Sequence, residues 1–148
     1  MLHKLMRTEP ELSSLLLRLA LGIVFFPHGA QQMLGWFGGG GFQSTMDAMT
    51  GMGLPAVIVF LVIIGQFFGS IGLLAGFLSR IAAAGISLIM LGAIFTVHVQ
   101  HGFFMNWFGN QQGEGFEYHL LALGICLALL IKGSGALSVD RMLADRVH

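Results

Sequence analysis

Charge is what this chain has least of: Asp, Glu, Lys and Arg together make up 9% of it, against 55% hydrophobic residues. A soluble domain carries about a quarter of its residues as charges, so this balance excludes an ordinary water-soluble fold. Basic and acidic blocks are also missing. Seven Lys and Arg offset seven Asp and Glu to a net charge of zero, which removes the electrostatic footprint of a nucleic-acid partner. The lone cysteine, Cys126, has no second thiol for an internal disulfide or a CxxC pair, so dithiol redox chemistry within one chain is excluded. The glycine-rich stretch GGGGFQSTMDAMTGMG lacks the GK[ST] ending of a phosphate loop and argues against nucleotide binding.

What is present is apolar and long. Four runs, at about 12–37, 55–78, 81–101 and 115–131, match or approach the roughly 20 helical residues that cross a bilayer core of about 30 Å. Glu9, Pro10 and Glu11 suit the start of the first, and Pro55 suits the first turn of the second. Arg18 interrupts the first run and no small-residue cleavage site follows it, so this helix is expected to stay rather than be removed as a signal peptide. The expectation is an all-α protein: a four-transmembrane-helix bundle in one integral membrane domain spanning 1–148, with a tail at 132–148.

Cations set the orientation. Lys4, Arg7 and Arg18 lie at the start of the first helix, Arg80 in the turn between the second and third, and Lys132, Arg141 and Arg146 after the fourth, while the loops at 38–54 and 102–114 have none. The positive-inside rule then makes both termini cytoplasmic, with Trp36 and Trp107 anchored at the opposite interface. Arg18 is expected to snorkel toward the cytoplasmic side along its aliphatic stem. A short interfacial helix is expected after the loop glycines.

Several motifs read as packing. Gly65, Gly69, Gly72 and Gly76 form overlapping small-xxx-small spacings that let helix backbones approach in lipid. Met46, Met49 and Met52 recur every three residues, and packing onto the bundle outweighs a thioether Cu(I) site. GIVFFPH at 22–28 and GAIFTVH at 92–98 echo one another as two parallel repeats would, pairing His28 with His98.

Polar side chains at membrane depth carry the functional signal. His28 lies roughly 14 Å and Gln66 roughly 17 Å from the outer helix ends at about 1.5 Å per residue. Groups so deep face the bundle interior and find partners. A pocket opening outward follows, with His28 and Gln66 at its floor, His98 and Glu117 nearer its mouth, and Gln31 on its wall. Residues 28, 31 and 32 share one helical face, so Gln32 lines the pocket beside Gln31 unless one of the two faces headgroups. Structural readings compete: a kink at Pro27 for His28, interhelical bonding for Gln66, an ion pair between His98 and Glu117. His101 and His119 are expected near the interface, in solvent. A metal held by His28, His98 and Glu117, or a haem between histidines, has suitable donors but no short-range ligand spacing behind it. A neutral ligand such as a quinone fits better, because His and Gln donate to a carbonyl and a His and Glu chain carries protons.

Taken together, RLALGIVFFPHGAQQ, QFFGSIGLLAGFLSR, FEYHLLAL and GSGALSVDR resemble the DoxX family of small bacterial membrane proteins, over about residues 15–141. The resemblance implies a four-helix bundle of the bacterial inner membrane associated with redox systems, relatives including a subunit of thiosulfate:quinone oxidoreductase and proteins linked to oxidative-stress defence. It matches His28 and Gly29, then Gly69, Gly76 and Arg80, then Glu117, and finally Asp140 and Arg141 to family positions. Position 66 departs: the family usually has glutamate, and Gln66 keeps the hydrogen-bonding shape but does not titrate. The implied role is an accessory subunit of a quinone-linked or oxidative-stress redox system, in an oligomer or a complex with a redox partner protein. A non-enzymatic scaffold or small-molecule carrier and a proton-coupled transporter are the competing classes.

Overall fold

The computed structural model describes residues 8–145, so the expectations placed on Lys4, Arg7 and Arg146 lie outside the described residues. Those residues form helices and no strands: α1 (Leu12–Leu34), α2 (Gly41–Gly51), α3 (Ala56–Ala75), α4 (Ser79–Ala93), α5 (Glu117–Lys132) and α6 (Val139–Asp145). A π-helical turn, Ile94–His98, and a 3-10 turn, Val99–His101, prolong α4. Three helical segments are long and apolar enough to cross a membrane: Leu12–Leu34, Ala56–Ala75 and Ser79–His101. At 16 residues, α5 is shorter than the usual span.

Helices α1 and α3 stop three residues before hydropathy suggests. Phe37 and Leu78 continue the apolar runs, but Gly35 (φ 74°) and Gly76 (φ 69°) take left-handed backbone and end each helix there. The short helix expected after the loop glycines is α2, which lies against α1 and α3 at one end of the bundle.

Packing runs from α1 to α3, α3 to α4, α4 to α5 and back from α5 to α1. Leu21, Phe25, Leu73, Ile86, Met90, Ala122, Cys126 and Leu129 fill the centre. Large apolar side chains such as Leu61, Leu88, Leu121 and Ile131 point outward, as lipid contact requires. The tight backbone crossing is not made by the expected glycine stripe. A Cβ on Gly29 would fall 2.7 Å from Cα of Phe67, whereas one on Gly65 or Gly69 would meet only side chains of α4 at 3.5 to 3.9 Å. Gly29 therefore sets the approach of α1 to α3, and Gly76 acts as a helix stop.

At the end remote from α2, Arg18 does not snorkel. Its side chain is 1% exposed and all five of its N–H groups are used. Nε donates to Ser134 O at 2.9 Å, Nη1 to Leu73 O and Leu74 O at 3.0 and 2.8 Å, and Nη2 to Ala136 O and Leu137 O at 3.1 and 2.6 Å. The last carbonyls of α3 have no helical partners, and a guanidinium fork satisfies them better than water at the surface would. Asp140 complements it from α6: its carboxylate accepts from Leu78 N at 2.7 Å, Ser79 N at 3.2 Å and Ser134 Oγ at 2.5 Å, capping the start of α4. Arg80 donates to Leu130 O and Ile131 O at the end of α5. The segment after α5 is thus bonded into the bundle.

Candidate functional site

The other end of the bundle holds a cavity of about 390 Å³. Its polar wall comes from His28 and Gln32 of α1, Gln66 of α3, His98 of the π turn, Glu114 of the loop, and Tyr118 and His119 of α5. Phe25, Val62, Ile89, Met90 and Ala93 supply its apolar wall, together with Met49 of α2 and Met105 of the loop.

Helical geometry explains which glutamine reaches the cavity. Gln32 stands one full turn after His28 and shares its face. Gln31 is rotated away and its Nε2 donates to Phe37 O at 3.1 Å. His28, Gln66 and His98 line the cavity; Gln31 and Glu117 do not. His28 reaches it from an exposed position, whereas Gln66 is only 6% exposed.

The loop after α4 decides the acids. Gly115 N donates to Phe104 O at 3.1 Å, Phe116 N to Gly102 O at 3.2 Å and Glu117 N to Phe103 O at 2.9 Å, so the chain doubles back on itself. That fold turns the Glu117 carboxylate to the loop, where it accepts from Met105 N at 2.9 Å and Trp107 Nε1 at 3.1 Å. His98 Nδ1 instead donates to Glu114 O at 2.8 Å. The ion pair of His98 with Glu117, the structural alternative for these residues, is replaced by these bonds, and the candidate metal set of His28, His98 and Glu117 is split. Among the described residues no three His, Cys, Asp or Glu side chains gather where they would hold a metal ion.

The π turn inserts an extra residue per turn just before His98, re-aiming that ring toward α5. The rings of His98 and His119 stand 4.1 Å apart, tilted by 45°, and Tyr118 stacks on Phe25 at 6.3 Å. His119 is 5% exposed, which corrects the expectation that it lies in solvent: α5 packs its first turn against α4. Of the three spaced methionines, Met49 reaches the cavity and Met52 is exposed.

One property sets this region apart. Gln32 Oε1, Tyr118 OH and His119 Nδ1 are buried side-chain atoms without a hydrogen-bond partner, and all three residues line the same cavity. Leaving one such atom unpaired costs about 1–3 kcal/mol. The spacing of His28 and Gln32 signals one of these residues in advance; Tyr118 and His119, at the mouth of an apolar run, carry no comparable signal.

Three apolar helical segments long enough for a bilayer, in a fold without strands among the described residues, define a helical membrane protein. The chain belongs to the DoxX family, whose profile matches residues 13–99, from α1 through the π turn. It is 32% identical over 130 residues to a Bacillus subtilis (strain 168) protein named "Putative oxidoreductase CatD", covering 88% of this chain and 86% of that one. It is 30% identical over 138 residues to the Escherichia coli (strain K12) protein named "Inner membrane protein YqjF", covering 93% and 97%. No solved structure matches it significantly.

Proposed function

We propose that this chain is an accessory subunit of a quinone-linked or oxidative-stress redox system in the bacterial inner membrane, and that the cavity binds the ring of a quinone-type ligand. The observation that carries the reading is the convergence of three unpartnered buried polar atoms on one cavity. Buried polar atoms are paired in native proteins, so a site built with several left open is built for a bound group. Tyr118 OH and the Gln66 amide have donors for a carbonyl oxygen, and Phe25, Tyr118, His98 and His119 give the cavity aromatic lining against which a flat ligand packs. Gln66 does not titrate, so it positions the ligand rather than relaying a proton, and electron transfer involves a redox partner protein. The names of the two relatives, an oxidoreductase and an inner membrane protein, agree with that role.

In this reading α5 is the fourth span of a single membrane domain. Its Leu121, Leu127 and Ile131 are exposed as lipid-facing residues are, and it closes the helix ring against α1. Arg18, Arg80, Lys132 and Arg141 all belong to the end remote from α2, and the loops beside the cavity contain no Lys or Arg, which favours cytoplasmic termini and a cavity toward the outer side.

The test is titration of the purified protein in mild detergent with quinone analogues, together with co-purification of partners. Saturable binding that is lost in His119→Ala supports the site. A protein that binds no analogue, and in which His28→Ala and His119→Ala only lower the melting temperature, is a scaffold.

A further inference from the structure

We infer that the cavity opens sideways to the bilayer at His28, so that its ligand is a membrane-dissolved ring whose hydrocarbon tail stays among the lipid chains. The ring rests on the function proposed above; the opening rests on burial along α1. Leu17, Leu21 and His28 share one face of α1, at intervals of four and seven residues. Leu17 packs on the core, and Leu21 is 3% exposed in one cluster with Ala122, Cys126 and Leu129 of α5. His28, on the same face, is exposed. The cover is lost because α5 is short. It runs antiparallel to α1, with Lys132 paired to Glu11 at one end and the Tyr118 ring stacked on Phe25 at the other. Glu117 is its first residue, so α5 begins about level with Phe25 while α1 continues to Leu34. His28 lies in that overhang.

Depth decides what the opening faces. α1 has 23 residues, about 35 Å at 1.5 Å per residue, against a hydrocarbon core of about 30 Å. His28 comes about 9 Å before its end at Leu34. Val24 and Leu34, to either side of it along the helix, are both exposed and apolar, as lipid-facing residues are. Leu121, three residues on from Tyr118 and on the same side of α5, is 71% exposed and gives that rim the same surround. A polar side chain exposed at such depth is costly and marks a pathway or a site. This one also lines the cavity. At about 390 Å³ the cavity is at the small end of the roughly 300–1,000 Å³ range of ligand pockets, which suits one substituted ring and leaves no room for a long tail. A tail left in the acyl layer through the opening keeps apolar surroundings before and after binding.

Nitroxide probes on the full-length protein in liposomes read the opening without any ligand. Labels are placed on His28→Cys, on Val24→Cys as the lipid reference and on Asn110→Cys in the exposed loop as the water reference, with the parent reporting any label on the buried Cys126. Power saturation then measures collision with oxygen, which concentrates in lipid, and with a water-soluble nickel chelate. The His28 label is expected to match the Val24 label, with high oxygen and low nickel access. High nickel access makes the mouth aqueous, and low access to both means that a second chain covers it; either result overturns the inference. The tail is tested on the parent by calorimetry in detergent. The probes are a dimethoxy-methyl-benzoquinone with a decyl tail and the same molecule capped at the tail's end by an uncharged triphenylmethyl ether. The cap does not fit beside a ring in the cavity, so the two affinities are expected to agree within about threefold. Loss of binding by the capped form alone shows an enclosed tail and overturns the inference, a comparison that needs no variant to fold. Binding of neither, with the His28 label in lipid, overturns the ring class proposed above and leaves the opening in place.

Discussion

At the Arg18 end of the bundle a buried guanidinium meets five carbonyl oxygens and a buried carboxylate meets two backbone N–H groups and a serine hydroxyl. At the cavity end, a buried glutamine oxygen, a tyrosine hydroxyl and a histidine nitrogen meet nothing. Both regions bury polar groups in an apolar protein, and both do so with side chains from several helices. The difference lies in whether the hydrogen-bonding capacity is used up within the chain. Where it is, the groups hold the fold together. Where it is not, they are open to the ligand proposed above.

Mutations at the two ends should therefore differ in sign as well as size. The largest effect is expected for Arg18→Leu, which takes a buried donor from five carbonyls at once: a loss of stability of about 3 kcal/mol or more, read as a lower melting temperature in detergent with the ligand affinity of the folded fraction unchanged. Asp140→Asn comes next, at about 1–3 kcal/mol, because it weakens the cap on α4 and the bond from Ser134. Tyr118→Phe at the other end removes a hydroxyl that has no partner, so its stability change is expected within about 1 kcal/mol and toward greater stability. The same substitution should weaken ligand binding measurably. A strongly destabilised Tyr118→Phe, or an Arg18→Leu as stable as the parent, would erase the contrast between the two ends.

The smallest effect tests the rim of the Arg18 end. The Lys132 ammonium 2.5 Å away, helped by the Ser13 hydroxyl, holds the Glu11 carboxyl below its ordinary pKa. A depressed carboxylate contributes stability that is fully present above its unfolded pKa and is lost as pH falls through the folded value. Melting temperature should therefore decline slightly more on acidification in the parent than in Glu11→Gln. Both side chains are well exposed, so the difference is small and shrinks with added salt.

Much of the helix layout was legible because it depends on local quantities. Apolar runs of span length marked α1, α3 and α4, whereas the ends of α1 and α3, expected at residues 37 and 78, are set earlier by the left-handed backbone of Gly35 and Gly76. The site was legible in part. His28, Gln66 and His98 were found because a polar group deep in an apolar run stands out. Glu114 and His119 were not, since a residue near a helix end is equally consistent with solvent until the loop's path is known. Arg18 misled for a related reason: its burial depends on carbonyls near residue 73 and beyond residue 133, far away in the chain.

By itself, the sequence determined that this protein is helical and membrane-bound, where its apolar segments lie, and that imidazole and amide groups interrupt them. Hydropathy, helix rise and glycine's backbone freedom act over a few residues, so they are readable along the chain. Only the tertiary structure decided which glutamine faces inward, that the loop turns Glu117 to Trp107 and offers His98 a carbonyl, and that Arg18 is consumed by the fold. Those outcomes depend on helix rotation and on hydrogen bonds between segments remote in sequence, and the partner of a long polar side chain exists only once the segments have packed.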